Sequence, residues 1–213
     1  MSLTDEGHYG PKQLNLLEVV WGEGFLSPGG TEEIDEIVKN TNLEGKSILD
    51  IGCGCGGAAF HLIKKYKAKS VEGIDPEHLV IETAHKLAKK NNLSELATFK
   101  QIKPGPLQYV DGSFDVVFSK EAFLHIPDKE ALLKDVHRVL KPDGLVIVSD
   151  WMRIDDNPPS AQMKEYIEAE GLDMLMCSLK KYKELLEQTN FTEIEIRDRN
   201  EWYLQKAKKE LTE

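Results

Sequence analysis

The sequence predicts an α/β fold in which a parallel sheet carries helices on both faces. Short apolar segments alternate along the chain with longer segments of helical periodicity, and this alternation is typical of parallel sheets. A glycine-rich loop, residues 52–57, directly follows the first apolar segment, and Asp75 closes the second. Ligands of such sheets bind beyond the carboxyl ends of the strands, so these residues predict a ligand site at that edge.

The predicted elements follow one another in a regular order. Five apolar segments are the predicted strands, and the segments between them have apolar residues three and four positions apart, as helices do. The strands are residues 46–51, 70–74, 97–102, 114–119 and 145–150, and the helices between them are residues 58–65, 79–91 and 129–140. The last helix ends before Lys-Pro-Asp-Gly at 141–144, a stop signal followed by a turn.

Further helices flank this alternating region. Before it, we expect a helix over residues 14–21, a loop over 22–30 and a helix over 31–39 with Thr31 as N-cap. This N-terminal arm is interpreted either as a lid over the ligand edge or as a plain structural extension. After the alternating region, we expect helices over residues 164–171, 179–188 and 201–211, and a sixth strand over residues 192–197.

The whole chain is predicted to form a single domain. Its parts are an N-terminal lid with helices at residues 1–42, a cofactor-binding core at 43–150, and substrate-side helices with a C-terminal strand at 151–213. A length of 213 residues suits one domain with a full core.

Composition excludes several classes of partner. The formal net charge is −10 and no basic stretch stands out, which disfavours a nucleic-acid partner. No apolar run approaches the roughly 20 residues that span a membrane, and the first residues are polar and acidic, unlike a signal peptide. Three cysteines suit a reducing compartment, so we expect a cytoplasmic protein. Cys53 and Cys55 lack further ligands at metal-site spacing, so no metal is expected.

The glycine-rich loop and Asp75 together predict a site for an adenosine-containing cofactor. Gly52, Gly54 and Gly57 match the spacing G-x-G-x-x-G, which permits a tight turn and a close approach of the backbone to a ligand. Asp75 lies 23 residues after Gly52, where an acid can accept hydrogen bonds from both ribose hydroxyls. Sites for NAD and for S-adenosylmethionine share both features, so these residues leave the two cofactors open.

Three motifs in order resemble those of class I small-molecule methyltransferases. They lie at residues 49–57, at 111–115 (Asp-Gly-Ser-Phe-Asp) and at 137–144 (His-Arg-Val-Leu-Lys-Pro-Asp-Gly), within a match over roughly residues 43–150. The resemblance implies S-adenosylmethionine as the cofactor. It also implies a three-layer Rossmann-like class I methyltransferase fold with an N-terminal helical lid.

A closer resemblance is to the phosphoethanolamine (phosphobase) N-methyltransferases. It rests on His8-Tyr9, on the loop of residues 22–30 and on residues 119–125 (Ser-Lys-Glu-Ala-Phe-Leu-His). In that family a lid tyrosine and a histidine after the fourth strand form a catalytic dyad, which implies Tyr9 and His125 here. An amine must be neutral to attack a methyl group, and a histidine can take its proton. Without the resemblance, the favoured interpretation of His125 is a helix-start histidine satisfied by solvent.

The strand-end rule and the resemblance together give a set of candidate binding residues. The candidates for S-adenosylmethionine are Tyr9, Ser27, Asp50, Gly52, Gly54, Asp75, Pro76, Gln101, Ile102, Lys103 and Ser119. The candidates for the substrate are Glu121, Trp151, Tyr166 and Glu170.

Two of these positions depart from the family pattern. Lys103 stands where an acid binds the adenine amino group; lysine cannot accept a hydrogen bond, so Gln101 or a backbone carbonyl would have to substitute. Glu170 stands where an arginine binds the substrate phosphate, and a glutamate repels phosphate. Glu121 and Glu170 therefore favour a cationic amine, although Glu170 is equally interpreted as part of a solvated helix face.

These observations predict an S-adenosylmethionine-dependent methyltransferase that acts on a small molecule, with a small amine as the methyl acceptor. Three alternatives stay open: an O- or C-methyltransferase, an NAD-binding oxidoreductase, and a non-catalytic cofactor-binding protein. Lys103 is the main argument for the last of these. The sequence gives no indication of the oligomeric state.

Overall fold

A computed structural model describes residues 10–171 and 173–210 of the chain. Its centre is a parallel sheet in the order β3-β2-β1-β4-β5. Chain order reverses between β1 and β4, which opens a crevice at the carboxyl edge of the sheet. The strands are β1 (Ser47–Ile51), β2 (Ser70–Asp75), β3 (Ala97–Gln101), β4 (Phe114–Lys120) and β5 (Leu140–Ser149). The predicted α/β fold and its five central strands are confirmed.

Helices cover both faces of this sheet, as predicted. They are α1 (Pro11–Trp21), α2 (Gly30–Ile37), α3 (Gly57–Tyr66), α4 (His78–Lys90), α5 (Lys129–Val139), α6 (Ala161–Glu170), α7 (Leu179–Gln188) and α8 (Asn200–Glu210). In β1, Ile48 packs in a core with α2, α3 and α4, whereas Leu49 packs in a second core with α5 and α7. Successive strand residues face opposite sides, so Ile48 and Leu49 are buried on opposite faces of this central strand. In the described residues no helix is long and apolar enough to cross a membrane.

The start of α2 differs from the prediction. The N-cap is Gly29, not Thr31, and the helix begins at Gly30. Gly29 has a left-handed backbone with φ 93°, and a Cβ there would lie 2.6 Å from the Cβ of Glu33. Only glycine fits this turn, so the chain enters the helix one residue before the threonine.

The predicted sixth strand is wrong. Residues 192–197 form no strand, and β5 is the edge of the sheet in the part of the chain that the structure describes. Arg197 instead donates to the carbonyl oxygens of Glu36 at 2.9 Å and Ile37 at 2.5 Å. The alternation of Ile194 and Ile196 suits a strand, but a strand also needs a partner, and side-chain hydrogen bonds to α2 hold this segment instead.

The start of β5 also differs from the prediction. The strand begins at Leu140, directly after α5, and Leu140 pairs with Phe114. The register then shifts between Phe114 and Val116. Residues 141–144, predicted as a turn, are therefore an irregular part of the strand.

Candidate active site

A cavity of about 440 Å³ opens at the carboxyl edge of the sheet. The ends of β1, β2 and β4 form its floor, and the N-terminal loop from Gly24 to Pro28 forms one wall. The amide of Gly57 donates to the carbonyl of Gly24 at 3.1 Å, which ties this loop to the glycine-rich turn. This loop of the N-terminal arm is therefore part of the cavity wall.

The glycine-rich turn holds Asp75 in place. Asp75 accepts from the amide of Gly54 at 3.2 Å through Oδ2 and from the amide of Glu77 at 3.0 Å through Oδ1. Gly52 has φ 75°, and a Cβ there would lie 2.2 Å from the Cβ of Ala122. Glycine at position 52 thus lets the turn pass close to the end of β4, and Asp75 presents a fixed carboxylate to the cavity.

Asp50 supplies a second carboxylate, which is fully buried in the cavity floor. Its Oδ2 has no hydrogen-bond partner among the described residues. Burial, with a smaller contribution from the charge of Asp75, raises the pKa of Asp50 to about 7. A buried carboxylate without a partner is costly, so this oxygen is suited to receive a cationic group of a ligand.

The wall beyond β2 and β3 contains only some of the predicted residues. Pro76 and Ile102 line the cavity, as does Pro104. The side chain of Gln101 donates to the carbonyl of Pro76 at 2.9 Å and is exposed. Lys103 is also exposed, and neither Lys103 nor Gln101 lines the cavity. The ammonium of Lys103 therefore does not occupy the cavity.

The two predicted serines differ in position. Ser27 lines the cavity, and its Oγ accepts a hydrogen bond from Lys120. Ser119 is fully buried, and its Oγ donates to the carbonyl of Ile51 at 2.8 Å. The structure thus places the hydroxyl of Ser119 between β4 and β1, outside the cavity lining.

His125 also lines the cavity, at the end of a short 3₁₀ helix, Phe123–His125. Its Nδ1 is 2.9 Å from the carbonyl of Asp173, a geometry in which Nδ1 carries the proton and donates. Burial lowers the pKa of the imidazole, so the ring is neutral at neutral pH. Nε2 is then an unprotonated nitrogen, which is the form that a general base requires.

Glu121, just after β4, is held in an unusual backbone conformation. Its φ is 54°, a left-handed value that residues other than glycine rarely adopt. Its amide donates to the carbonyl of Ser149 at 2.8 Å, and its side chain is 12% exposed. Such conformations cluster at functional sites, where the surrounding contacts hold them. Glu121 lines the cavity, as His125 does.

Of the other predicted residues, Trp151 and Tyr166 line the cavity and are 43% and 52% exposed. Glu170 is the last residue of α6, and its side chain lies outside the part of the chain that the structure describes. Tyr9 lies outside the described residues. The structure therefore brings together the predicted residues Ser27, Asp50, Gly52, Gly54, Asp75, Pro76, Ile102, Glu121, His125, Trp151 and Tyr166.

A buried charge cluster beside Glu121 was not predicted. Glu33 of α2 is fully buried and pairs with Lys120 at 2.9 Å and with Arg199 at 2.7 Å. Burial raises the pKa of Glu33, and the two cations oppose that effect. These residues are far apart in the sequence and form no motif. One signal is an acid on the otherwise apolar face of a helix, since Glu33 precedes the buried Ile34 and Ile37.

The cysteines beside the glycine turn are thiols. Cys53 and Cys55 are both buried and unpaired, and burial raises the pKa of Cys55 to about 12. Within the described ranges, no three His, Cys, Asp or Glu side chains are placed to hold a metal ion.

Comparison with known proteins shows which family the chain is similar to. Residues 42–199 match the family described as "Methyltransferase domain". The chain is 36% identical to phosphoethanolamine N-methyltransferase 1 of Arabidopsis thaliana over 97% of its own length, but it spans only 41% of that relative. It is 26% identical to phosphoethanolamine N-methyltransferase of Plasmodium falciparum, over 95% of this chain and 73% of the relative.

A solved structure is similar over nearly the whole chain. It is the Haemonchus contortus phosphoethanolamine N-methyltransferase 2 in complex with phosphomonomethylethanolamine and S-adenosylhomocysteine. The TM-score is 0.87 at 25% identity, with 98% of this chain and 48% of that chain covered. The predicted resemblance to class I phosphobase methyltransferases is confirmed.

Proposed function

The chain belongs to the methyltransferase-domain family, and on that premise we propose that it methylates a small amine with S-adenosylmethionine. The observation that carries the proposal is the position of His125. Its Nδ1 is bound to a backbone carbonyl, so Nε2 is left as a proton acceptor at the wall of a cavity whose floor holds two carboxylates. An amine acceptor needs such a base, since its nitrogen must lose a proton when it gains a methyl group.

The floor of the cavity fits S-adenosylmethionine. The cofactor carries an ammonium group, which matches the unpartnered oxygen of buried Asp50, and a ribose diol, which matches the fixed carboxylate of Asp75. Gly52 and Gly54 allow the backbone to approach it closely. When bound, S-adenosylmethionine supplies a methyl group on a sulfonium, which a neutral nitrogen can take.

His125 handles the proton of the acceptor. Because burial lowers its pKa, the imidazole is neutral at neutral pH and Nε2 is ready to accept. The carbonyl of Asp173 keeps Nδ1 protonated and fixes the direction of Nε2. Holding the amine and the base in one cavity replaces a slow encounter in water by a positioned reaction. Tyr9 remains the predicted lid partner of His125.

The charges at the wall favour a cationic acceptor. Carboxylates of Glu77, Glu121 and Asp173 line the cavity, and Lys120 is the one lysine or arginine that does so within the described residues. Lys120 already pairs with Glu33 at 2.9 Å, so its charge is balanced. A phosphate would meet more repulsion than attraction in this wall. We therefore infer a small amine without a phosphate as the acceptor.

Phosphoethanolamine is the second candidate, because it appears in the names of the relatives. The experiment uses methyl-labelled S-adenosylmethionine with matched acceptors: ethanolamine and phosphoethanolamine, their monomethyl forms, a phenol, and a carbon acid. We expect label on the nitrogen of the unphosphorylated amines. Preference for the phosphorylated members would select the second candidate, and label on oxygen or carbon, or no transfer at all, would overturn the proposal. Calorimetric titration with NAD tests the oxidoreductase alternative.

We also propose a cytoplasmic location and no nucleic-acid partner. Three unpaired cysteines support the first, since they suit a reducing compartment. The formal net charge of −10 supports the second. Fractionation and a nucleic-acid binding assay at low salt test the two.

A further inference from the structure

One residue of α8 contacts two residues on the acceptor side of the cavity. The hydroxyl of Tyr203 donates to Oε1 of Glu121 at 2.8 Å. Its ring meets the ring of Trp151 edge to face, with centroids 4.8 Å apart. Burial raises the pKa of this hydroxyl, so it stays protonated and donates. Tyr203 itself does not line the cavity, whereas Glu121 and Trp151 do.

The start of α8 is also tied by an ion pair to a buried carboxylate of α2. Arg199, just before α8, forms an ion pair with Oε1 of Glu33. Lys120 forms an ion pair with Oε2 of the same carboxylate. Arg199 also donates to Oγ of Ser149, at the end of β5, at 2.6 Å. Two negative charges, on Glu33 and Glu121, are thus balanced by the two positive charges of Lys120 and Arg199 in a largely buried cluster. Buried pairs hold a geometry firmly, because an unpaired buried charge is costly.

Two donors contact the side chain of Glu121. Lys120 lies 3.3 Å from Oε1, and Tyr203 lies 2.8 Å from the same atom. Lys120 also pairs with the buried Glu33 at 2.9 Å, so it is shared between two carboxylates. The shorter hydrogen bond from Tyr203 ties the Glu121 carboxylate to α8. Both donors use Oε1, so within the described residues Oε2 is left to accept from an acceptor.

We propose that Tyr203 is a positioning residue that sets the affinity of the site for a cationic acceptor through Glu121. The proposal rests on the proposed function. It assigns to the C-terminal helix a part in acceptor recognition, although that helix contributes no atom to the cavity lining. It also separates Tyr203 from His125: the tyrosine acts on binding of the acceptor and the histidine on transfer of the proton.

The test is a double-mutant cycle on Tyr203→Phe and Glu121→Gln, measured with the best amine of the panel. Tyr203→Phe keeps the ring against Trp151 and removes the donor. We expect KM for the amine to rise roughly 2- to 12-fold, the range for one hydrogen bond, with kcat and KM for S-adenosylmethionine within about twofold of wild type. In the Glu121→Gln background the same change should raise KM by less than about twofold, because the carboxylate is already gone.

Tyr66→Phe is the matched control. Tyr66 donates to a carboxylate oxygen of Asp35 at 2.8 Å, the same length of bond, between α3 and α2 and away from the cavity lining. It should leave both KM values unchanged. Equal KM effects of Tyr203→Phe in the two backgrounds, or a loss confined to kcat or to the melting temperature, would overturn the proposal. Absence of any amine methylation by the wild-type protein would instead overturn the proposed function.

Discussion

The two halves of the cavity are built in different ways. In the cofactor half, the contacts are local: Asp75 binds the amides of Gly54 and Glu77, which are 21 and 2 residues away. In the acceptor half, they join distant parts of the chain, since Glu121 meets Tyr203 from 82 residues away and Glu33 meets Arg199 from 166 residues away. One half is a turn between two neighbouring strands, and the other is an assembly of four separate elements.

This difference separates what is common in the fold from what is particular to this chain. A glycine turn with an acid at the next strand end needs only a strand, a tight turn and a helix, so one short motif specifies it. The acceptor half needs α2, β4, β5 and α8 to be packed before its side chains meet. A change of acceptor can therefore arise by substitutions on these elements while the cofactor half stays intact.

The largest expected effect falls in the acceptor half. We predict that His125→Ala lowers kcat for amine methylation roughly 10²- to 10⁴-fold, because general-base catalysis contributes that much. Binding of S-adenosylmethionine should be unchanged, since the proposed contacts of the cofactor are with Asp50 and Asp75 and not with His125. Steady-state kinetics and calorimetry measure the two quantities. His137→Ala, an exposed histidine on α5, is the control. An effect on KM for the amine alone would make His125 a binding residue instead.

The next effect falls in the cofactor half. We predict that Asp75→Ala weakens binding of S-adenosylmethionine about 5- to 150-fold, the cost of about 1–3 kcal/mol for leaving buried partners unpaired. KM for the amine should change little, because the hydrogen bonds of Asp75 are to the amides of Gly54 and Glu77 in the cofactor half. Asp111→Ala removes an exposed carboxylate that pairs with Arg138 at 2.8 Å and serves as the control. Unchanged cofactor affinity in Asp75→Ala would contradict the placement of the ribose.

A change of pH tests the same half without a mutation. The raised pKa of Asp50, about 7, means that its carboxyl is protonated below that pH in the free protein. A cationic ligand group beside it favours the ionised form, so binding at low pH must first displace a proton. We predict that affinity for S-adenosylmethionine falls roughly tenfold from pH 8 to pH 6.

The control for the pH experiment is Asp50→Asn, which should flatten the pH dependence of the affinity. Proton release on binding at pH 6, measured by calorimetry in buffers of different ionisation enthalpy, gives a second readout. A wild-type affinity that is constant from pH 6 to pH 8 would show that no cation of the ligand lies beside Asp50.

The halves also differ in how well their residues could be predicted from the sequence. The motif at 49–57, together with the acid at the next strand end, predicted Asp50, Gly54 and Asp75 at the cavity, because a short turn fixes the spacing of its residues in the fold. Glu33 and Arg199 pair over a separation of 166 residues, and no local pattern records that contact. Physical reasoning on single residues gave Glu121 and His125 only with the help of the family resemblance.

Fold elements were predicted where burial on both sides imposes a pattern. Strands β1 to β4 lie inside the sheet or against α4, and their bounds were predicted to within one residue. The segment 192–197 has the alternation of a strand but no neighbouring strand to pair with, and it is not one. Alternation of apolar and polar residues indicates that a strand is possible. Whether the strand forms depends on the packing of the rest of the chain.

Substitution of Ser119 tests where the cofactor half of the cavity ends, and it has the smallest expected effect. Its place at the end of β4 predicted a cofactor contact, whereas its Oγ donates to the carbonyl of Ile51 inside the sheet. We predict that Ser119→Ala leaves the affinity for S-adenosylmethionine within about twofold of wild type. The free energy of unfolding should fall by about 1 kcal/mol, since a buried hydrogen bond is lost.

The matched control is Ser113→Ala, whose hydroxyl donates to the carbonyl of Val110 at 2.6 Å on the surface. Loss of this hydroxyl should lower the free energy of unfolding by less than about 0.5 kcal/mol, because water replaces the hydroxyl there. Denaturant melts and calorimetric titration of each variant separate stability from binding. If Ser119→Ala instead weakened cofactor binding tenfold with no loss of stability, the hydroxyl would belong to the cofactor half. The end of β4 would then serve both halves of the cavity, and the link between Ser119 and Ile51 would have to break when the cofactor binds.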